Sequence, residues 1–197
     1  MQFFDVEFPQ CELTELDWSL LNASENALTV CDVKEELPFA DAWALPAFPG
    51  CKLVEVSIFG GTPGLRKLFV ICAGQVFRYH ARLFAEGTLA KLVSPTLNMH
   101  TVNYHAAMVA YSAEPIGHGI CAVAKPEEIE EAFGYEDAPL SVMQQNDGWR
   151  LKAYKTTRQR LAIKFEADIR PDGSVDFGSI VSEVSQVQLP GTAHILF

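Results

Sequence analysis

The stretch that most constrains the fold is the alternation across residues 160–170. Leu161, Ile163, Phe165, Ala167 and Ile169 interleave with Arg160, Lys164, Glu166, Asp168 and Arg170. A period of two places the first set on one face of a strand and the second on the other. A sheet with one apolar and one wet face is typically antiparallel and needs a layer over its apolar side. Arg170-Pro171-Asp172-Gly173 is turn chemistry, Ser174 to Phe177 returns, and Ile180 to Leu189 supplies a strand rich in Val. Upstream, Asn146-Asp147-Gly148 marks a turn, after which Trp149, Leu151 and Ala153 alternate with Arg150, Lys152 and Tyr154. Residues 148–189 therefore read as an antiparallel meander, with 160–169 and 174–188 as neighbours.

Helices are expected earlier in the chain. From Leu65 to Phe84 the apolar residues 65, 68, 69, 72, 76, 77 and 84 follow helical spacing. Thr62 and Pro63 supply an N-cap and first turn, Gly87 a stop, and His80 falls on the apolar side. The run Leu68 to Cys72 would equally suit a buried strand; the longer pattern favours a helix over 65–84. Pro126 opens a second helix, 126–133, with Glu127 and Glu128 at its positive end and Gly134 closing it. Lys52 to Phe59 alternates as a strand, Ala27 to Val33 suits a short strand, Ile116 to Lys125 suits another, and residues 88–111 fit helix and strand equally. Thr14 caps a short helix carrying Leu13, Leu16, Leu20 and Leu21. The three prolines between Leu37 and Gly50 argue for a long ordered loop pinned by Trp43 and Phe48. The expected class is α+β: a mostly antiparallel sheet with the C-terminal meander and the inserted helices. Its 197 residues suit one globular domain, with residues 1–50 as an acidic, irregular segment packed on it.

Composition narrows the function classes. Apolar residues make up 49% and charged residues 20%, which excludes a disordered chain. No apolar run reaches the ~18 residues of a membrane span, and the acidic opening Met1-Gln2-Phe3-Phe4-Asp5 is unlike a signal peptide. A cytoplasmic location is expected. The net charge of −10 is segmented. Residues 1–50 carry ten acids and one base, and 113–147 eight acids and one base, while 148–170 carry seven bases and two acids. Such acidity disfavours nucleic acid as a partner. Acidic segments are expected to fold over the basic strands.

Chemical motifs are sparse. The five cysteines, 11, 31, 51, 72 and 121, include no Cys-x-x-Cys and are odd in number. A disulfide framework is not expected; Cys72 and Cys121 read as small buried hydrophobes, and Cys51 has a cation beside it in Lys52. The glycines at 60–64 match neither phosphate-loop pattern. No metal spacing occurs among His80, His100, His105, His118 and His194, and no nucleophile elbow surrounds Ser179. Neither a metal nor a cofactor is expected. His118 stands out because Gly117 and Gly119 flank it, and glycines allow close backbone approach. It is the candidate catalytic residue, with His105 or Tyr104 as helpers. The basic strands make Arg150, Lys152, Arg158, Arg160 and Lys164 the candidate binding set, since like charges facing across a strand pair need an offset.

The leading expectation is a binding protein for a protein or small-molecule partner. A small enzyme built near His118 is the second reading. The third is a homo-oligomeric structural protein docking through Ile195-Leu196-Phe197.

Overall fold

Two large antiparallel sheets, a two-stranded hairpin and the helices packed with them make up the computed structural model, which describes residues 1–24, 39–60, 62–113, 121–157, 159–176 and 182–189. The chain opens with a small hairpin, β1 (Gln2–Phe3) and β2 (Val6–Glu7), followed by β3 (Gln10–Cys11) and α1 (Glu15–Ala23). Thr14 caps α1 through a reciprocal box with Asp17, as the sequence suggests. Next come β4 (Phe39–Ala44), β5 (Lys52–Gly60), β6 (Thr62–Cys72) and β7 (Gln75–Arg78). These four and β3 form the first sheet, in the order β3-β4-β5-β6-β7, with every neighbour antiparallel.

Three helices follow, α2 (Ala81–Ala85), α3 (Thr88–Leu92) and α4 (Val102–Ser112). Both helices of the 88–111 stretch thus resolve the helix–strand ambiguity there. The second sheet is built from β8 (Cys121–Val123), β9 (Leu140–Gln145), β10 (Gly148–Thr157), β11 (Leu161–Ile169), β12 (Val175–Asp176) and β13 (Ser182–Gln188), with α5 (Pro126–Phe133) between β8 and β9. Here β10 and β11 form the centre. β8 and β9 share the far side of β10, and β12 and β13 share the far side of β11. The α+β class, the meander, its antiparallel neighbours and the helix at 126–133 stand as expected. Of the expected inward set Ile163, Phe165, Ala167 and Ile169 are buried, while Leu161 at the strand's start is only half-buried, as Lys164 is.

The layers follow from where the apolar side chains go. One continuous core takes Leu53, Val70 and Cys72 from the first sheet and Leu151, Phe165 and Ile169 from the second. Helix α4 runs through it with Val102, His105, Ala106, Ala107, Met108, Val109 and Ala110 buried, while Asn103 and Tyr111 are exposed. A smaller core lies on the opposite face of the first sheet, where Leu21 of α1 meets Val54, Val56, Phe69 and Ile71. A third lies outside the second sheet, where Ile129 of α5 covers Tyr154 and Ala124.

The helix expected over 65–84 does not form. Residues 62–72 and 75–78 are strands, joined by Ala73 and Gly74 at φ 49° and 73°. Two consecutive positive φ values make the tight turn whose twist suits a hairpin. The misreading has a physical cause. β6 is buried on both faces, Val70 and Cys72 toward the main core and Phe69 and Ile71 toward α1. A strand buried on both faces loses its alternation and imitates a helix. His80, expected on the apolar side of that helix, is exposed at the start of α2.

Three further expectations need correction. Residues 39–44 are not a loop but a strand of the first sheet; Trp43 and Phe48 are nevertheless buried anchors. Leu16 does not belong to the apolar side of α1, being 65% exposed. Cys51 and Cys72 are joined in a disulfide, their Cα atoms 4.4 Å apart. They lie beyond Lys52 and Ile71, which face one another at the base of the β5–β6 hairpin, so the fold makes neighbours of residues 21 apart. Cys11 remains a thiol. The expected strand at 27–33 lies outside the described residues, as do residues 116–120 of the strand expected at 116–125, whose remainder contains β8.

Candidate functional site

The basic residues of the meander are arranged by strand register. β10 and β11 pair with Arg150 opposite Asp168, Lys152 opposite Glu166 and Tyr154 opposite Lys164. Opposed residues share a face, so this outer face is a ladder in which bases meet acids. Arg150 grips Asp168 with two hydrogen bonds, Nε to Oδ1 at 2.9 Å and Nη2 to Oδ2 at 3.0 Å. Those bonds hold the Asp168 carboxyl below its usual range. Lys164 lies 3.7 Å from Glu166 and 3.8 Å from Glu183. Among the described residues, Lys152 alone of the candidate set has an ion pair with the 113–147 segment: its Nζ is 2.5 Å from Asp137 Oδ2. Among the described residues the expected cover of the basic strands by acidic segments is thus met at Lys152, while Arg150 and Lys164 are paired by acids of the strands themselves. Arg160 lies in the β10–β11 turn at φ 64°, and Arg158 lies outside the described residues.

Asp137 also orders the space under α5. The Tyr154 hydroxyl donates to Asp137 Oδ2 at 2.7 Å, and the Tyr135 hydroxyl lies 3.3 Å from it. Burial raises the Asp137 carboxyl, but the bonds from Lys152 and Tyr154 outweigh it and hold it below the usual carboxylate range. Burial, then Tyr135 and Asp137, push the Tyr154 phenol far up. It stays protonated and acts as a donor, with its ring tilted against Phe133.

The candidate catalytic residues do not share a location that the structure describes. His118 is outside the described residues. His105 has no exposed surface. Its Nε2 is 2.8 Å from the Gly173 carbonyl, and the rings of Phe48 and Phe84 stand edge-on at 5.1 and 5.6 Å. Burial lowers its pKa to about 4 against the opposing pull of the Gly173 bond. The ring is therefore neutral, Nε2–H donates to Gly173, and Nδ1 has no partner among the described residues. Tyr104, one position along α4, packs edge-on against Phe8 instead. Among the described residues no three His, Cys, Asp or Glu side chains are grouped so as to hold a metal ion.

Two features escaped the sequence reading. Lys155 belongs to the basic run but points inward: it is 3% exposed, and its ammonium donates to the Tyr111 and Ala113 carbonyls at the end of α4. Those carbonyls lack helical partners and carry the negative end of the helix dipole. The second is β9. It was legible as the first arm of a hairpin, because Leu140 and Val142 alternate before the Asn146-Asp147 turn. It pairs with β10 in unbroken register from Gln145–Gly148 to Leu140–Ala153.

The Tyr154 amide donates to the Pro139 carbonyl, so 139 and 154 are a hydrogen-bonded pair. Such pairs recur every second residue. Ser141, Met143 and Gln145 consequently point their backbone groups at β10. Leu140, Val142 and Gln144 point theirs away, toward an edge that no other strand among the described residues occupies.

Among the described residues that edge differs from the others in length and charge. β3 and β12 are two residues long, β8 three and β7 four. β13 carries Glu183; it packs against α5, as β9 packs against α4. β9 has six residues with no charge, no proline and no bulge, and Met143 stands 56% exposed on its outer side. Edges are ordinarily blunted by such devices. Comparison with known proteins finds no matching family model, no similar curated protein and no similar solved structure. No helix among the described residues is long and apolar enough to cross a membrane.

Proposed function

We propose that this chain is a non-enzymatic binding protein that receives an extended segment of a partner protein along β9. The observation that carries this reading is the six-residue, charge-free edge whose Leu140, Val142 and Gln144 backbone groups face outward. Addition of a strand satisfies such groups, with main-chain hydrogen bonds giving affinity and alternate side chains giving selectivity. The most reactive-looking groups described support it from the other side. His105 is sealed in the core, Lys152 and Tyr154 are bound to Asp137, and Arg150 is bound to Asp168. A cytoplasmic setting is part of the proposal, and there Cys51 and Cys72 would exist as a buried dithiol.

The test is amide hydrogen exchange read by NMR with a neutral peptide, acetyl-Thr-Val-Thr-Val-Thr-Val-amide. Binding should slow exchange at Leu140, Val142 and Gln144 and leave Ser141 and Met143 as they were. Val142→Pro, which removes the central outward donor, should abolish it. Unchanged exchange at all three positions at millimolar peptide would refute the reading.

A further inference from the structure

Resting on that reading, we propose that the occupant of β9 is a segment of a different protein, uncharged in its middle and carrying Lys or Arg at both ends. The argument comes from what flanks the strand. Residues 140–146 carry no charge, but Glu136 and Asp137 precede them and Asp147 follows. Glu136 and Asp147 are both exposed. Helix α5, which leads into this stretch, adds exposed Glu127, Glu130 and Glu131. The nearest cations, Arg150 and Lys152, are one strand further in, and each is already bound to a carboxylate. A strand laid on β9 therefore meets a neutral centre between two acidic ends.

The same layout disfavours a second copy. Two identical edges related by a twofold axis normal to the sheet pair antiparallel, with their faces matched. All three outward residues, Leu140, Val142 and Gln144, find partners together in one register: Val142 against Val142, and Leu140 against Gln144. In that register the residue opposite 137 is 147. Continued past the strand ends, that register brings exposed Glu136 of one copy, beside the Lys152-bound Asp137, toward exposed Asp147 of the other at both ends. Like charges directly opposed destabilise a strand pair, and each copy adds a formal charge of −10. A basic-ended segment replaces both clashes with attractions, and its approach is accelerated by the same field.

The experiment uses the full chain and three acetylated, amidated peptides sharing the core Thr-Val-Thr-Val-Thr-Val, with Lys-Lys, Ser-Ser or Glu-Glu at both ends. Affinity is measured by fluorescence anisotropy, and the site by exchange at Leu140, Val142 and Gln144. The Lys-ended peptide should bind at least tenfold more tightly than the Ser-ended one. The advantage should shrink as salt is raised from 50 to 500 mM, and the Glu-ended peptide should bind weakest. The variant Glu136→Lys with Asp147→Lys, at two exposed positions, should reverse the order. Equal affinity of all three peptides, with the edge protected, overturns the basic partner and leaves strand addition standing. Protection of the same amides on raising protein concentration alone overturns it in favour of a second copy. Protection by none of the peptides removes the strand-addition reading itself.

Discussion

The two sheets solve the problem of their outer faces in opposite ways. The first is apolar on both sides: Val54, Val56, Phe69 and Ile71 face away from the main core and are sealed by α1. The second is apolar on one side only, and its other side is the ladder of Arg150, Lys152, Lys164, Glu166 and Asp168, covered by α5 at one end. A face sealed by a helix gains from area removed from water. A charged ladder contributes less, because exposed ion pairs are screened and entropically costly. The outer faces should thus differ severalfold in what a single truncation costs, although they have the same backbone architecture.

The sharpest way to break this comparison is Phe69→Ala beside Phe165→Ala. Both rings are 1% exposed, one beneath α1 and one in the main core. Each should cost roughly 3–5 kcal/mol in urea unfolding. A loss under about 1 kcal/mol at Phe69 would mean that α1 does not seal the first sheet. Next comes the Cys51–Cys72 bond at the base of the β5–β6 hairpin. Replacing both cysteines with alanine should lower stability by about 2–4 kcal/mol under oxidising conditions. Under reducing conditions the difference should largely vanish, and an equal loss in both would assign the effect to packing alone.

His105 tests the layer between the sheets. Unfolded, its imidazole takes up a proton near pH 6.5; folded, near 4. Above 6.5 both states are neutral and the residue adds no pH dependence. As the pH falls through that window the unfolded chain binds more protons, so stability drops, by up to roughly 3 kcal/mol. His105→Asn should flatten the profile between pH 6.5 and 4; an unaltered slope would place the titration elsewhere. The smallest effect belongs to the ladder. A double-mutant cycle on Arg150 and Asp168, about a third exposed, should give a coupling of ~0.5–1 kcal/mol that fades in 1 M salt. A coupling above about 2 kcal/mol would make the two outer faces energetic equals.

The same contrast explains what could be read from the residues alone. The second sheet announced itself because one wet face forces alternation, as Leu161 to Ile169 demonstrates. The first hid itself because Phe69, Val70, Ile71 and Cys72 are all buried, leaving no periodicity to detect. Phe39 to Ala44 was obscured by flanking prolines, although Trp43 was recognisable as an anchor. The ion pairs needed the register of β10 on β11, which pattern does not supply: alternation says which face a lysine occupies, not which acid stands opposite. Lys155 breaks its own alternation class, a cation on the apolar side of β10, and only the arrival of the α4 terminus makes sense of it.

That lysine also bears on how the molecule opens. A helix end normally frays at little cost, independently of the rest of the fold. If the last turn of α4 unwinds, the ammonium of Lys155 loses the Tyr111 and Ala113 carbonyls while β10 still holds it in the core. Fraying there is coupled to opening of the sheet. The amides at the end of α4 should exchange with deuterium as slowly as those of β10, as one cooperative unit, and Lys155→Met should release the helix end to exchange on its own.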